Sequence, residues 1–320
     1  MVALVVLALA GCGQKSDDPK QAATPVEQAK VDLGKGDPKI APKDDAKIER
    51  GSYLVKVAGC LVCHTAAGPS GPDYEHAGGG GLEMPDPLGT WRTPNITPDR
   101  ATGIGGWTDD QIARAIREGA RPDGTQLYAI MPFALYNRMT DDDVGAIVAY
   151  LHTLKPVERV VAPNKNLKFP QPVLPKPANA PDVTSDPLKH GEYLATLMLC
   201  GHCHATPGEG ADHMFAGGMD LTIPTMGKGK LYAPNITSDK DTGIGAYTED
   251  QLFTTLKTMV RPNGKMIAPP MLMLQAGWSQ VTDADLHAVA TYVHQIPAVK
   301  HKVTPSTFEL QWGGSAAPVK

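Results

Sequence analysis

The chain has 320 residues, with 30 Lys and Arg against 34 Asp and Glu and a formal net charge of -4. That balance, without any basic cluster that would track a phosphate backbone, argues against nucleic acid as a partner. Aromatic residues make up only 6%, against 33 Gly and 29 Pro, so loops and turns wrap something whose apolar bulk a bound cofactor would supply; the length suggests two domains of about 100 to 200 residues each.

In chain order, Val2 to Ala10 form an apolar run of nine residues. At about 1.5 Å per residue it covers less than half of a roughly 30 Å hydrocarbon core, so it cannot span a bilayer. It fits the apolar region of a signal peptide. Leu9-Ala10-Gly11-Cys12 resembles the bacterial lipoprotein signal, which implies a signal segment over 1–12 that is cut just before Cys12, leaving that cysteine as the lipid-bearing N-terminus. The alternative is an ordinary signal segment cut elsewhere, since no Lys or Arg precedes the apolar run. Residues 13–46, rich in Lys, Asp, Pro, Ala and Gln, have no periodic apolar face and read as a flexible tether.

A helix is expected over Ile40 to Ala58, weakened locally by Gly51. It leads into Cys60-Leu61-Val62-Cys63-His64. Thr108-Asp109-Asp110-Gln111 has the capping-box form and opens a short helix. Met131-Pro132-Phe133 follows, and Thr140 with Asp141, Asp142 and Asp143 begins a last helix carrying Val144, Ile147, Val148 and Leu151. The same order then returns at an offset of 140: Cys200-Gly201-His202-Cys203-His204, Pro234-Asn235-Ile236-Thr237 after Pro94-Asn95-Ile96-Thr97, the Thr248 capping box, and Met271. Beyond Met271 the register slips by two, so that Thr282 matches Thr140. Such a period fits one domain duplicated once. The expected organisation is a domain over 47–156, a Pro-rich linker over 157–187, a second domain over 188–299 and a tail over 300–320. With no alternating run in view, the expected fold class is all-α, two tandem domains with long ordered loops.

Both Cys-x-x-Cys-His motifs have the attachment spacing of c-type haem. Two thiols add to the two vinyl groups of the porphyrin, and the adjacent imidazole is held beneath the ring to ligate iron. Cofactor binding is thus expected at Cys60, Cys63, His64, Cys200, Cys203 and His204, for two covalently attached haems. A disulfide or thioredoxin-like pair would leave both histidines without a role, and a structural zinc would lack two of its four ligands in each copy. For the sixth position Met131 and Met271 stand at matching places; a thioether favours the reduced metal. Met139, Met266 and Met273 lie nearby, and filling a core gap is the commoner use of methionine. His202 is expected to point away from the iron that His204 takes. The glycines at 78–81 and 217–218 lack the lysine of a phosphate loop and are expected to run against the haem edge.

From Tyr53 to Tyr150, and again from Tyr193 to Tyr292, the chain resembles tandem dihaem class I cytochrome c, above all the haem subunits of periplasmic alcohol and gluconate dehydrogenases. Asn95-Ile96-Thr97-Pro98-Asp99, Thr102-Gly103-Ile104-Gly105 and Met131-Pro132 carry the likeness. The resemblance implies axial His and Met ligands, and first and last helices that cross at a Gly/aromatic contact, here Gly51 with Tyr150 and Gly191 with Tyr292. It implies electron transfer outside the cytoplasm, from a dehydrogenase or quinol-oxidising complex to an oxidase or another cytochrome. Those subunits commonly carry three haem motifs and this chain has two, which leaves the partner open. The competing expectation is a dihaem enzyme, a peroxidase or sulfur-compound oxidoreductase, in which one iron has an open or exchangeable position.

Overall fold

Two sets of five helices follow one another in a computed structural model that describes residues 44–68, 71–86, 89–164, 173–222 and 227–310. The expected signal segment, Cys12 and most of the tether lie outside the described residues. The first set is α1 (Asp45–Val57), α2 (Cys60–Cys63), α3 (Asp109–Glu118), α4 (Phe133–Tyr136) and α5 (Asp141–Leu151). The second is α6 (Pro187–Leu197), α7 (Cys200–Cys203), α8 (Glu249–Thr258), α9 (Gln275–Trp278) and α10 (Asp283–His294).

Local chemistry places the helix starts where the sequence puts them. Thr108 accepts from the Gln111 backbone N–H at 3.2 Å while the Gln111 side chain accepts from Thr108 N–H at 2.9 Å. Thr248 and Gln251 repeat both bonds. Thr140 and Thr282 cap α5 and α10 by accepting from Asp143 and Asp285 N–H. Each such cap satisfies donors that a helix start would otherwise leave orphaned, worth about 1 kcal/mol.

Helix α1 runs unbroken through Gly51, and packing explains the glycine. A Cβ at Gly51 would collide with the carbonyl oxygen of Ala146 and crowd Tyr150; one at Gly191 would collide with the Ala288 carbonyl and crowd Tyr292. The backbones of α1 and α5, and of α6 and α10, therefore cross in direct contact. Leu54, Val55, Ile147 and Val148 fill the first crossing, and Leu194, Ala195, Leu286 and Val289 the second, all at 2% exposure or less. Burying a Val or Leu side chain of this kind contributes about 1.5–3 kcal/mol relative to exposure.

The fold is helical, with three short antiparallel pairings that the sequence reading did not anticipate: Ala67–Gly68 with Gly71–Pro72, Glu83–Asp86 with Gly89–Arg92, and Gly227–Lys228 with Glu309–Leu310. Each spans two to four residues, too short for an alternating pattern to register. Pro187 belongs to α6, at a first-turn position where its missing N–H costs nothing; Asp186 caps it. The start of the proline-rich stretch is docked on the first set. Val157 is buried, donates to Thr97 and accepts from Asn95, and Asn164 exchanges hydrogen bonds with the Arg92 backbone. Val299 makes the same bonds to Thr237 and Asn235 in the second set.

The two sets pack together by exchanged pairs. Tyr193 donates to Asp143 at 2.6 Å, beside a bidentate Arg50–Asp143 ion pair. Reciprocally, Tyr53 donates to Asp285, which also meets His190 Nε2 at 2.8 Å.

Candidate functional site

Each attachment motif is one helical turn. The paired cysteines stand three positions apart, so both sulfurs lie on the same side of α2 or α7. The turn is entered from the left-handed region, at Gly59 with φ 65° and at Leu199 with φ 62°. Among the described residues all four cysteines are free thiols. Burial pushes Cys60 and Cys200 up to about 12, with the thiol of the neighbouring motif cysteine adding to the shift.

His64 and His204 close the turns, each 8% exposed. Burial lowers both below the usual imidazole range, so both are neutral. His64 Nδ1 lies 2.8 Å from the carbonyl oxygen of Pro94, and His204 Nδ1 lies 2.8 Å from that of Pro234. A carbonyl can only accept, so Nδ1 carries the proton and Nε2 keeps a free lone pair for a metal. The sequence repeat displayed both prolines without revealing this role, which depends on a backbone atom.

The acceptor segment is itself braced. The Asn95 side chain donates to Thr102 and to Val157 O while accepting from Thr97; Asn235 does the same with Thr242, Val299 and Thr237. The glycines expected against the haem edge serve here instead. Gly80 and Gly217 N–H donate to the carbonyls of His64 and His204, and their α-carbons press on the Pro94–Asn95 and Pro234–Asn235 backbones. None of residues 78–81, 217 or 218 lines the cavity.

Both turns open into one cavity of about 1420 Å³, beyond the ~300–1,000 Å³ of a single ligand pocket. Met131 and Met271 line it, as do Met266 at its rim, 66% exposed, and the fully buried Met139; Met273 does not. His202 lines it as well, exposed on the turn beside His204. Three further features escaped the sequence reading. Trp91, 8% exposed, lines this cavity, and among the described residues its Nε1–H has no acceptor. Arg121 and Arg261 bring guanidinium groups to the lining, and the Arg261 charge helps lower His204. A macrocycle with an apolar body, vinyl arms and acidic substituents fits this lining. The thiols and imidazoles suit its attached edge and iron, and the arginines and the orphaned donor suit its carboxylates.

The family profile described as Cytochrome c matches residues 48–155. A Diheme cytochrome c-type protein of Cereibacter sphaeroides is 30% identical over 285 residues, 83% of this chain and 91% of the relative. The Fructose dehydrogenase cytochrome subunit of Gluconobacter japonicus is 33% identical over 277 residues, covering 82% of this chain and 55% of its own length. The Alcohol dehydrogenase (quinone) cytochrome c subunit of Gluconobacter oxydans is 33% identical over 276 residues, covering 80% and 56%. The chain thus spans little more than half the length of those dehydrogenase subunits. With attachment turns, braced imidazoles and these relatives in agreement, the chain belongs to the cytochrome c family, whose members hold haem c covalently.

Proposed function

We propose that the chain is a dihaem electron carrier of the exported compartment, built of two cytochrome c domains over 47–156 and 188–299 and joined by the 157–187 connector. One haem is attached at Cys60 and Cys63, with His64 and Met131 as axial ligands. The other is attached at Cys200 and Cys203, with His204 and Met271. When bound, each haem supplies one-electron chemistry at iron. The protein's part is to hold Nε2 toward the metal through the Pro94 and Pro234 carbonyls, to offer a thioether opposite, and to keep water from most of the cavity.

The observation that carries the reading is the doubled arrangement of attachment turn, braced histidine and cavity-lining methionine. A methionine in both copies favours the closed carrier over an enzyme with an exchangeable iron position. The relatives named as dehydrogenase subunits support a dehydrogenase as donor; a quinol-oxidising complex is the alternative donor, and an oxidase or another cytochrome is the proposed acceptor. Cys12 is the proposed lipid attachment on the periplasmic side of a bacterial membrane, and residues 13–46 the tether that gives the domains reach. In the described residues no helix is long and apolar enough to cross a membrane.

The test is expression with haem-attachment machinery, followed by intact mass and near-infrared magnetic spectra of the oxidised protein beside Met131→Ala and Met271→Ala. Two attached haems and two low-spin His/Met signals, each lost in one variant, are expected. A high-spin or non-methionine signal in the unmutated protein overturns the carrier for that domain and points to the enzyme.

A further inference from the structure

Between Met271 and the end of α9 the backbone forms two successive helical turns, Met271–Leu274 and Gln275–Trp278. This segment packs on the first half of the chain rather than only on its own. Trp278, 2% exposed, donates from Nε1 to the carbonyl oxygen of Val57 at 3.1 Å. Val57 ends α1, and only Ala58 and Gly59 separate it from Cys60. Gly277 lies so close that a Cβ there would stand 2.7 Å from the Lys56 carbonyl oxygen, and a Cβ at Gly59 would stand 2.6 Å from Leu274 Cδ2. Three successive contacts thus fasten the Met271 segment to the residues that lead into the first attachment turn.

In the first half α4 likewise packs on α6, but among the described residues no hydrogen bond corresponding to Trp278–Val57 ties it there. Tyr136 stands where Trp278 stands in the repeat, two residues of slip included, and its hydroxyl donates to Ala58 O at 3.2 Å, within its own half. The first attachment turn therefore receives buried donors from both halves at adjacent carbonyls, Val57 from the second half and Ala58 from the first. No such bond reaches the residues before Cys200 from Tyr136.

We infer that Trp278 is a positioning residue that ties the segment bearing the second haem's methionine to the attachment turn of the first, so that ligation at one iron and reduction of the other are coupled. The inference rests on the dihaem reading above. Its physical basis is that the backbone carrying Met271 is continuous with this pair of turns, which cannot shift to reseat the methionine without disturbing a buried hydrogen bond at the first haem's anchor. Coupling of this kind is reciprocal: reduction of the first haem changes the hold of Met271 on the second iron by the same factor. The buried hydrogen bond is one-sided: α4 packs on α6 in the first half, but of the two matching aromatics only Trp278 donates across the two sets, so the coupling through it runs from Met271 to the first haem.

A double-mutant cycle on the full-length holoprotein tests it, with each haem followed by spectroelectrochemical titration and by the methyl resonance of its own methionine. Methionine is neutral, so Met271→Ala leaves the charge at the second iron unchanged for a given oxidation state. The electrostatic effect of its shifted potential on the first haem is common to both backgrounds and cancels in the cycle. The substitution is expected to shift the reduction equilibrium of the first haem by about fivefold, the scale of one buried hydrogen bond. In a Trp278→Phe background the same substitution is expected to shift it less than about twofold. Gly277→Ala, which disturbs the same contact away from the cavity, should uncouple in the same direction and serves if Trp278→Phe does not fold. Met131→Ala should leave the second haem's equilibrium in place. An equal shift in both backgrounds, or a matching effect of Met131→Ala on the second haem, overturns the inference while leaving two His/Met haems intact. Failure to find two such haems would instead overturn the proposed function.

Discussion

The first half anchors Tyr136 on its own Ala58 carbonyl, whereas the second sends Trp278 across to Val57. Around the histidines the halves hardly differ: the same carbonyl distance of 2.8 Å, the same Asn brace, the same glycine N–H on the histidine carbonyl. The two sets share the atoms that aim the imidazoles and differ in the contacts outside that shell. Arg50 in one half corresponds to His190 in the other, both facing an aspartate of the last helix.

The largest expected effect probes what the halves share. Gly51→Val and Gly191→Val force a side chain into a backbone carbonyl and should each destabilise by about 3 kcal/mol, read by denaturant unfolding of the holoprotein. Should one lesion leave the unfolding of the other half untouched, the halves unfold separately; a common transition would show that the exchanged Tyr–Asp pairs bind them into one cooperative unit.

Next come those pairs. Asp143→Ala strands both Arg50 and Tyr193 and should cost about 2 kcal/mol, with Asp285→Ala costing less because its histidine partner need not be charged. Burial and the facing aspartates raise both hydroxyls, Tyr53 to about 12 and Tyr193 further. A raised folded pKa means that their contribution is fully present below the ordinary tyrosine value near 10 and is lost as pH climbs through about 12. Unfolding midpoints should accordingly be level across neutral pH and fall between about pH 10 and 12, less steeply in Tyr53→Phe; a midpoint that rises there would break the pairing.

The smallest effect concerns the entry to the attachment turns. Leu199→Gly removes about 1 kcal/mol of left-handed strain and loses a partly buried side chain, so the two changes should nearly cancel. Gly59→Leu has no such offset, since Leu274 already occupies the space, and should destabilise by about 1–2 kcal/mol. Equal responses at the two positions would mean that the two halves hold their turns alike.

What the sequence displayed depends on how local the cause is. Thr108, Thr248, Thr140 and Thr282 act within one turn, and the attachment motifs are complete within five residues, so all were legible. The Gly51 and Gly191 crossings were read only through the family resemblance; the propensity argument treated Gly51 as a weakness, because the carbonyl of Ala146 lies 95 positions away in sequence. Val157 and Val299 were missed because an extended segment held by Asn side chains has no period. Trp278 was indistinguishable from any core aromatic, since its partner belongs to the other copy.

The buried thiols carry a consequence for the order in which the protein is made. Burial pushes Cys60 and Cys200 up to about 12, which disfavours the reactive thiolate at neutral pH. A chain that closed its two helix crossings before meeting haem would present Cys200 as a poorly reactive thiol only 9% exposed, while Cys63 stays exposed. On the proposed dihaem reading, attachment belongs to the still open chain, and the fold described here would close over the finished bonds. Early folding competes with maturation, and a variant that folds faster without haem should emerge with fewer haems per chain.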